Sequence, residues 1–191
     1  IEYAVHPGFG GSLGAHKTLI KPGNWDRIRS DGKRRTVSLF QKDVPAAIRQ
    51  RYLEGHNWEE TDFYQNARDS LMNNKRYASR ITSISDLYDR CEIIDKLYRS
   101  IKKEGYRSQK GLRELFPARK EVQVAIGRDG EILLDEGQHR LAISKILSLR
   151  SIPVRIMVRH EEWQEIRCEY ANTGLLPNYV NKNHPDLSNL E

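Results

Sequence analysis

Asp135, Glu136, Gly137, Gln138, His139 and Arg140 follow one another with no apolar residue among them, between the apolar stretches EILL and LAIS. Each type brings its own chemistry. Glycine lets a ligand oxygen come close to the backbone. Arginine adds a forked, charge-assisted donor, and histidine donates or shuttles a proton. Two carboxylates would repel a bare anion. They fit a magnesium ion travelling with a phosphate, or a base that takes a proton from an attacking hydroxyl. If a helix starts here, its first-turn N–H groups and dipole attract phosphate or carboxylate. The pattern points to a metal–nucleotide or phosphoryl-transfer site. Glu136 is its candidate metal ligand or base, Asp135 the second carboxylate, and His139 the acid–base group. The same residues also read as an ordinary helix start, with acids placed for the dipole, Arg140 paired with Glu136 and His139 structural. Both readings stay open on local pattern.

The elements that must position these residues are legible around them. EVQVAI (121–126) alternates as a half-buried strand does, GRDG (127–130) is a turn, and EILLD (131–135) is the return strand. A helix over 139–149 follows, with Ala142, Ile143, Ile146 and Leu149 on one face. IPVRIMV (152–158) is a strand, and a helix begins near HEEWQEI. Upstream, Leu87, Ile93, Ile94, Leu97 and Ile101 place a helix over 84–105 that stops at Gly105. Helices are also expected over 43–54, capped near Asp43 and Pro45, and over 58–73. EYAV reads as a strand, and DRIRSDGKRRTVSLF as a hairpin turning at Asp31-Gly32. The end of the chain, from Asn172, is polar and turn-rich, with little fixed structure expected.

The series EVQVAIGRDGEILLDEGQHRLAISKILSLRSIPVRIMV resembles the ParB/sulfiredoxin-like superfamily. There, two strands and a Gly-x-His-Arg element open a helix that leads to an IPV strand. Here the element is Gly137-Gln138-His139-Arg140. Ser100-Ile101, Gly105 and Gln109 are similar to the segment that precedes that superfamily's first strand. The resemblance covers about residues 90–160. It implies an α+β fold with a small mixed sheet, and a nucleotide (ATP, ADP or CTP) with magnesium as cofactor. Gly137, Gln138, His139, Arg140, Gly105 and Gln109 would be the nucleotide-binding residues. Three divisions are implied: an N-terminal elaboration (1–89), the core (90–160) and a C-terminal helix and tail (161–191).

The branches of that superfamily part company over these residues. Sulfiredoxins carry a cysteine just before the His-Arg pair, where this chain has Gln138. Partitioning ParB proteins bind CTP and continue into a helix-turn-helix, for which the roughly 30 residues after the last core strand are too few. Free-amino-acid kinases with an Asp-Gly-His-His-Arg motif are similar to Glu136–Arg140, with Glu for Asp and Gln for the first His. The expected function is a nucleotide-binding protein that transfers or hydrolyses a phosphoryl group. The alternative is a DNA-binding regulatory module without turnover, using the basic 26–35 hairpin.

Other features weigh less. Gly11, Lys17 and Thr18 stand at P-loop spacing, but His16 replaces the glycine, and Pro22 and Gly23 block the helix a P-loop must open. Glu104, Lys103, Arg107 and Lys110 are rim candidates, and His6 a candidate pocket residue. Trp58 and Trp163 read as packing residues. The chain carries a net charge of +6, with 38% hydrophobic and 30% charged residues, which permits a phosphate-bearing partner without demanding one. Cys91 and Cys168 form no CxxC, so neither zinc nor a disulfide framework is expected, and a reducing, cytoplasmic setting fits. No apolar run nears the roughly 20 residues that span a bilayer. The sequence opens at Ile1 and not Met, so lack of a leader excludes nothing. Oligomeric state is not legible.

Overall fold

A computed structural model describes residues 3–5, 19–27, 36–77, 81–107, 121–188 and 190. The glycine loop with His6, His16 and Lys17 lies outside these residues. So do 28–35 of the basic hairpin, residues 78–80, Gln109 and Lys110. The fold is mixed α+β, and the described chain forms two compact units, each assembled from separated stretches.

The first unit comprises Ile1–Val37, Gln123–Glu136 and Val154–Glu191. Its strands are β1 (Tyr3–Val5), β2 (Leu19–Lys21), β3 (Thr36–Ser38), β4 (Val122–Ile126), β5 (Ile132–Glu136) and β6 (Val154–His160), in the sheet order β2-β6-β4-β5-β1-β3. β4 and β5 are an antiparallel hairpin, β1 runs parallel to β5, and β2 runs parallel to β6. The expected GRDG turn is present: Gly127 N–H donates to the Glu131 carbonyl at 2.9 Å, and Gly130 N–H to the Gly127 carbonyl at 3.0 Å. That β2 follows Thr18 agrees with rejection of the P-loop, which needs a helix there.

Three expectations are corrected in this unit. β4 is buried at all five positions and not on one face only. Ala125 joins Trp25, Leu133 and Val158 on one side, while its neighbour Ile126 joins Trp163 and Leu187 in a separate cluster, so both faces of the strand are covered. Of the hairpin expected over 26–40, Asp26 and Arg27 form a turn and not a strand, and the second strand ends at Ser38, where Leu39–Gln41 turns into a 3-10 helix. The tail expected to lack structure is fixed. Asp186, only 5% exposed, accepts from Arg159 at 2.8 and 2.6 Å and from Trp163 Nε1 at 2.9 Å, and Arg167 Nε donates to its carbonyl at 3.0 Å. Leu187 is fully buried beside it. Composition concealed this, because a few well-placed contacts outweigh an otherwise polar stretch.

The second unit comprises Ser38–Val122 and Gly137–Pro153. It is helical: α1 (Asp43–Tyr52), α2 (Asp62–Met72), α3 (Ile84–Glu104) and α4 (Gln138–Ile146). α4 packs on α1 and α3, and α2 packs on both of those. α5 (Glu161–Thr173) belongs to the first unit and starts, as expected, at HEEWQEI. Asp43 is the first residue of α1 and not its cap; Lys42 precedes the helix, and the Asp43 carboxylate accepts from Tyr77 instead. The single helix expected over 58–73 is a 3-10 turn at Trp58–Glu60 followed by α2. Thr61 divides them, its hydroxyl accepting from Tyr64 N–H. α3 matches its expected span and stops at Gly105, whose φ of 72° favours glycine. Its buried stripe is Leu87, Cys91, Ile94 and Ile101, whereas Ile93 is exposed. On α4, burial runs over four successive residues, Leu141–Ser144, because helices lie against it on more than one side.

Candidate functional site

The hexapeptide is not a loop. Asp135 and Glu136 finish β5, Gly137 alone makes the connection, and Gln138 already begins α4. The boundary between the two units falls at that same junction, after Glu136. One residue can join strand to helix only with an unusual backbone, and Gly137 has φ 93° and ψ 24°. Space demands glycine as well. A β-carbon at 137 would lie 2.9 Å from the Val122 α-carbon.

The strand end is irregular in its own right. Gln123 pairs with Glu136 and Val124 with Leu134, so Asp135 is an extra residue on β5, a bulge. Bulges re-aim side chains and are common beside functional sites. Asp135 is half-buried and Glu136 exposed.

The first turn of α4 carries Gln138, His139 and Arg140, all half-buried. His139 meets Arg90, on α3, with Arg90 Nη2 at 3.4 Å from His139 Nε2. Burial, then the charges of Arg90 and Arg140, push the imidazole down to about 4. It is therefore neutral at pH 7. Tyr106 follows Gly105, and its hydroxyl donates to Glu121 at 3.0 Å. Burial and Glu121 raise that phenol to about 12, and Arg140 is near enough to oppose the shift. The C-terminal end of α3 and the start of α4 thus share one electrostatic neighbourhood within the second unit.

Of the residues picked out from the sequence, the second unit brings together Gly137, Gln138, His139 and Arg140, with Gly105 beside Tyr106. Glu104 is occupied by Arg107 at 3.4 Å. Lys103 is exposed. Trp58 and Trp163 are packing residues as expected, with Nε1 donating to Asp95 and Asp186 respectively. Arg27 and Asp26, at the start of the basic stretch, pair with Asp129 and Arg128. Both cysteines are free thiols, Cys91 buried and Cys168 exposed.

Arg90, Tyr106 and Glu121 were missed. Arg90 had a detectable signal. The positions 87, 90, 94, 97 and 101 form one helical stripe, and Arg90 is its single charged member among leucines and isoleucines. A guanidinium set in a core stripe needs a reason. Tyr106 and Glu121 had no signal, since their meeting depends on the fold.

Among the described residues, no group of three His, Cys, Asp or Glu side chains could hold a metal ion, and no helix is long and apolar enough to cross a membrane. No family model, curated protein or solved structure matches the chain.

Proposed function

We propose that this chain is a nucleotide-binding protein of the ParB/sulfiredoxin-like kind, which holds phosphate groups at the first turn of α4. Phosphoryl transfer or nucleotide hydrolysis, with magnesium, is the activity that follows from such a site. The observation that carries the reading is the start of α4 directly behind Gly137, with Arg90 of α3 3.4 Å from His139 in its first turn. Arg90 and Arg140 both act on the His139 imidazole, so this helix start has guanidinium groups close by, the side chain best suited to phosphate. The helix start adds N–H groups without intrahelical partners and the positive end of the dipole.

Calorimetric titration with ATP, ADP, CTP and GTP, each with and without magnesium, tests this. Binding by the wild type that is lost in His139→Ala/Arg140→Ala supports the site. Equal affinity in both proteins rejects it. The magnesium arm also tests the carboxylates: a metal requirement that disappears in Glu136→Gln or Asp135→Asn would make that residue the metal-linked one.

A further inference from the structure

His184, in the tail of the first unit, has both ring nitrogens in use. Nε2 lies 2.8 Å from the Gly130 carbonyl oxygen, and Nδ1 lies 3.1 Å from the Asp186 nitrogen. A carbonyl only accepts and a backbone N–H only donates, so the ring is neutral with its proton on Nε2. No other protonation state makes both bonds. One bond ties the tail to the turn between β4 and β5. The other caps the turn His184–Leu187, in which Leu187 N–H donates to the His184 carbonyl at 2.9 Å. Trp163 touches both partners: its ring centroid is 4.6 Å from that of His184, and a β-carbon at Gly130 would lie 2.5 Å from the indole. Leu187 completes the cluster, packed with Trp163 and Ile126.

The charged groups around this ring are engaged with one another or face solvent. Asp186 pairs with Arg159 of β6 and Arg167 of α5. At the β4–β5 turn, Arg128 pairs with Asp26 and Glu162, Asp129 pairs with Arg27, and Glu131 is exposed. Asp135 and Glu136 sit at the other end of that hairpin. On β6, His160 bonds the Gly23 carbonyl and Arg155 is half-buried. Glu161, Glu165, Cys168 and Glu169 of α5 are exposed, as are Tyr179 and Lys182 of the tail, and Tyr170 is half-buried. Burial holds the His184 imidazole below the ordinary histidine value. It outweighs the Gly130 carbonyl and Asp186, which favour the proton, and Arg167 adds to the lowering.

We propose that His184 is an acid-sensitive latch: while neutral it holds the tail over Ile126 and Trp163, and on taking a proton at Nδ1 it lets residues 184–187 go. One N–H bond forms at Nδ1, the proton comes from water or buffer, and no covalent bond of the chain breaks. The new N–H faces the Asp186 N–H, so donor meets donor and the cap is lost. Leu187 then leaves its berth, and the apolar cluster it covers opens to solvent. Because the folded value is lowered, the released tail binds the proton first. The latch is fully shut above the ordinary histidine value of about 6.5, opens progressively as pH falls, and levels off below the folded value. Asp186, whose carboxyl is held below its ordinary 3.8, stays ionised through that window. The acid therefore acts on the histidine and not on the ion pairs.

The test is hydrogen exchange of the whole chain, read amide by amide and corrected for the rate of an unstructured chain. Protection at Asp186 and Leu187 should fall roughly tenfold between about pH 7 and about pH 5, while the β4 amides keep theirs. In His184→Asn the side chain can still accept from the Asp186 N–H but cannot titrate. Its protection should be lower at neutral pH and equal at both pH values. Should that variant fail to fold, ring-nitrogen NMR of the unaltered protein reads the same event. It should show the Nε2–H form at neutral pH and a midpoint below about 6.5 that coincides with the loss of protection. No protection at neutral pH, protection that ignores pH, an equal fall in His184→Asn, or an Nδ1–H ring overturns the latch.

Discussion

The α-carbon of Gly137 stands so close to Val122 that a β-carbon built on it would lie 2.9 Å from the Val122 α-carbon and 3.0 Å from Cγ2. Backbone cannot yield as a side chain can, and φ at 137 is positive besides. Gly137→Ala should therefore cost about 2–4 kcal/mol, from the left-handed conformation and the clash together. Chemical denaturation of the variant measures it. A loss below about 0.5 kcal/mol, the level of an ordinary surface substitution, would mean that the strand-to-helix connection is not made as described.

His139 gives the unliganded protein an acid-side weakness. Its folded-state value, about 4, lies below the ordinary 6.5, so the unfolded chain binds the proton first. Stability should fall as pH drops from about 6.5 to 4, by on the order of 2–3 kcal/mol, and level off below. His139→Gln should remove that slope. Denaturation midpoints at a series of pH values check the direction.

Asp186 fastens the tail to Arg159, Arg167 and Trp163. Burial works against its ionisation, but the bonds from Arg159 and Trp163 and the charges of Arg159 and Arg167 together bring the carboxyl below its usual value. Asp186→Ala should cost about 3–5 kcal/mol, because two guanidinium groups lose their buried partner. Protection of the 174–188 amides in hydrogen exchange should fall with it. Because the folded value is lowered, this contribution is present above the ordinary aspartate pKa of 3.8 and is lost as pH falls through the folded value.

The two thiols should separate cleanly. Cys168 is exposed, whereas burial, with the charges of Asp95 and Glu59, pushes Cys91 up to about 12. A thiol reagent at pH 8 should modify Cys168 rapidly in the native protein and reach Cys91 only on unfolding. Rapid modification of both would show that the α3 core face opens.

What could be read in advance follows the range of the forces involved. The β4–β5 hairpin and α3 are specified by neighbours in sequence, through turn residues and apolar spacing, and both were legible at nearly their full lengths. The helix start at residue 138 was visible as a polar interruption, but its compression onto Gly137 was not, since that depends on the approach of Val122. The burial of β4 on both faces, the fixing of the tail by Asp186 and the neighbourhood of Tyr106 and Arg140 all depend on residues distant along the chain. Arg90 stood between these cases. Its place in an apolar stripe was visible, but its partner, 49 residues away, was not.

The most direct test of the central claim is a map of backbone amide shifts as the wild-type chain is titrated with ATP and magnesium. The account predicts that the largest shifts fall at Gly137–Leu141 and around Arg90, with smaller ones at Tyr106. Saturable shifts concentrated elsewhere, with residues 137–141 and 90 unmoved, would contradict it.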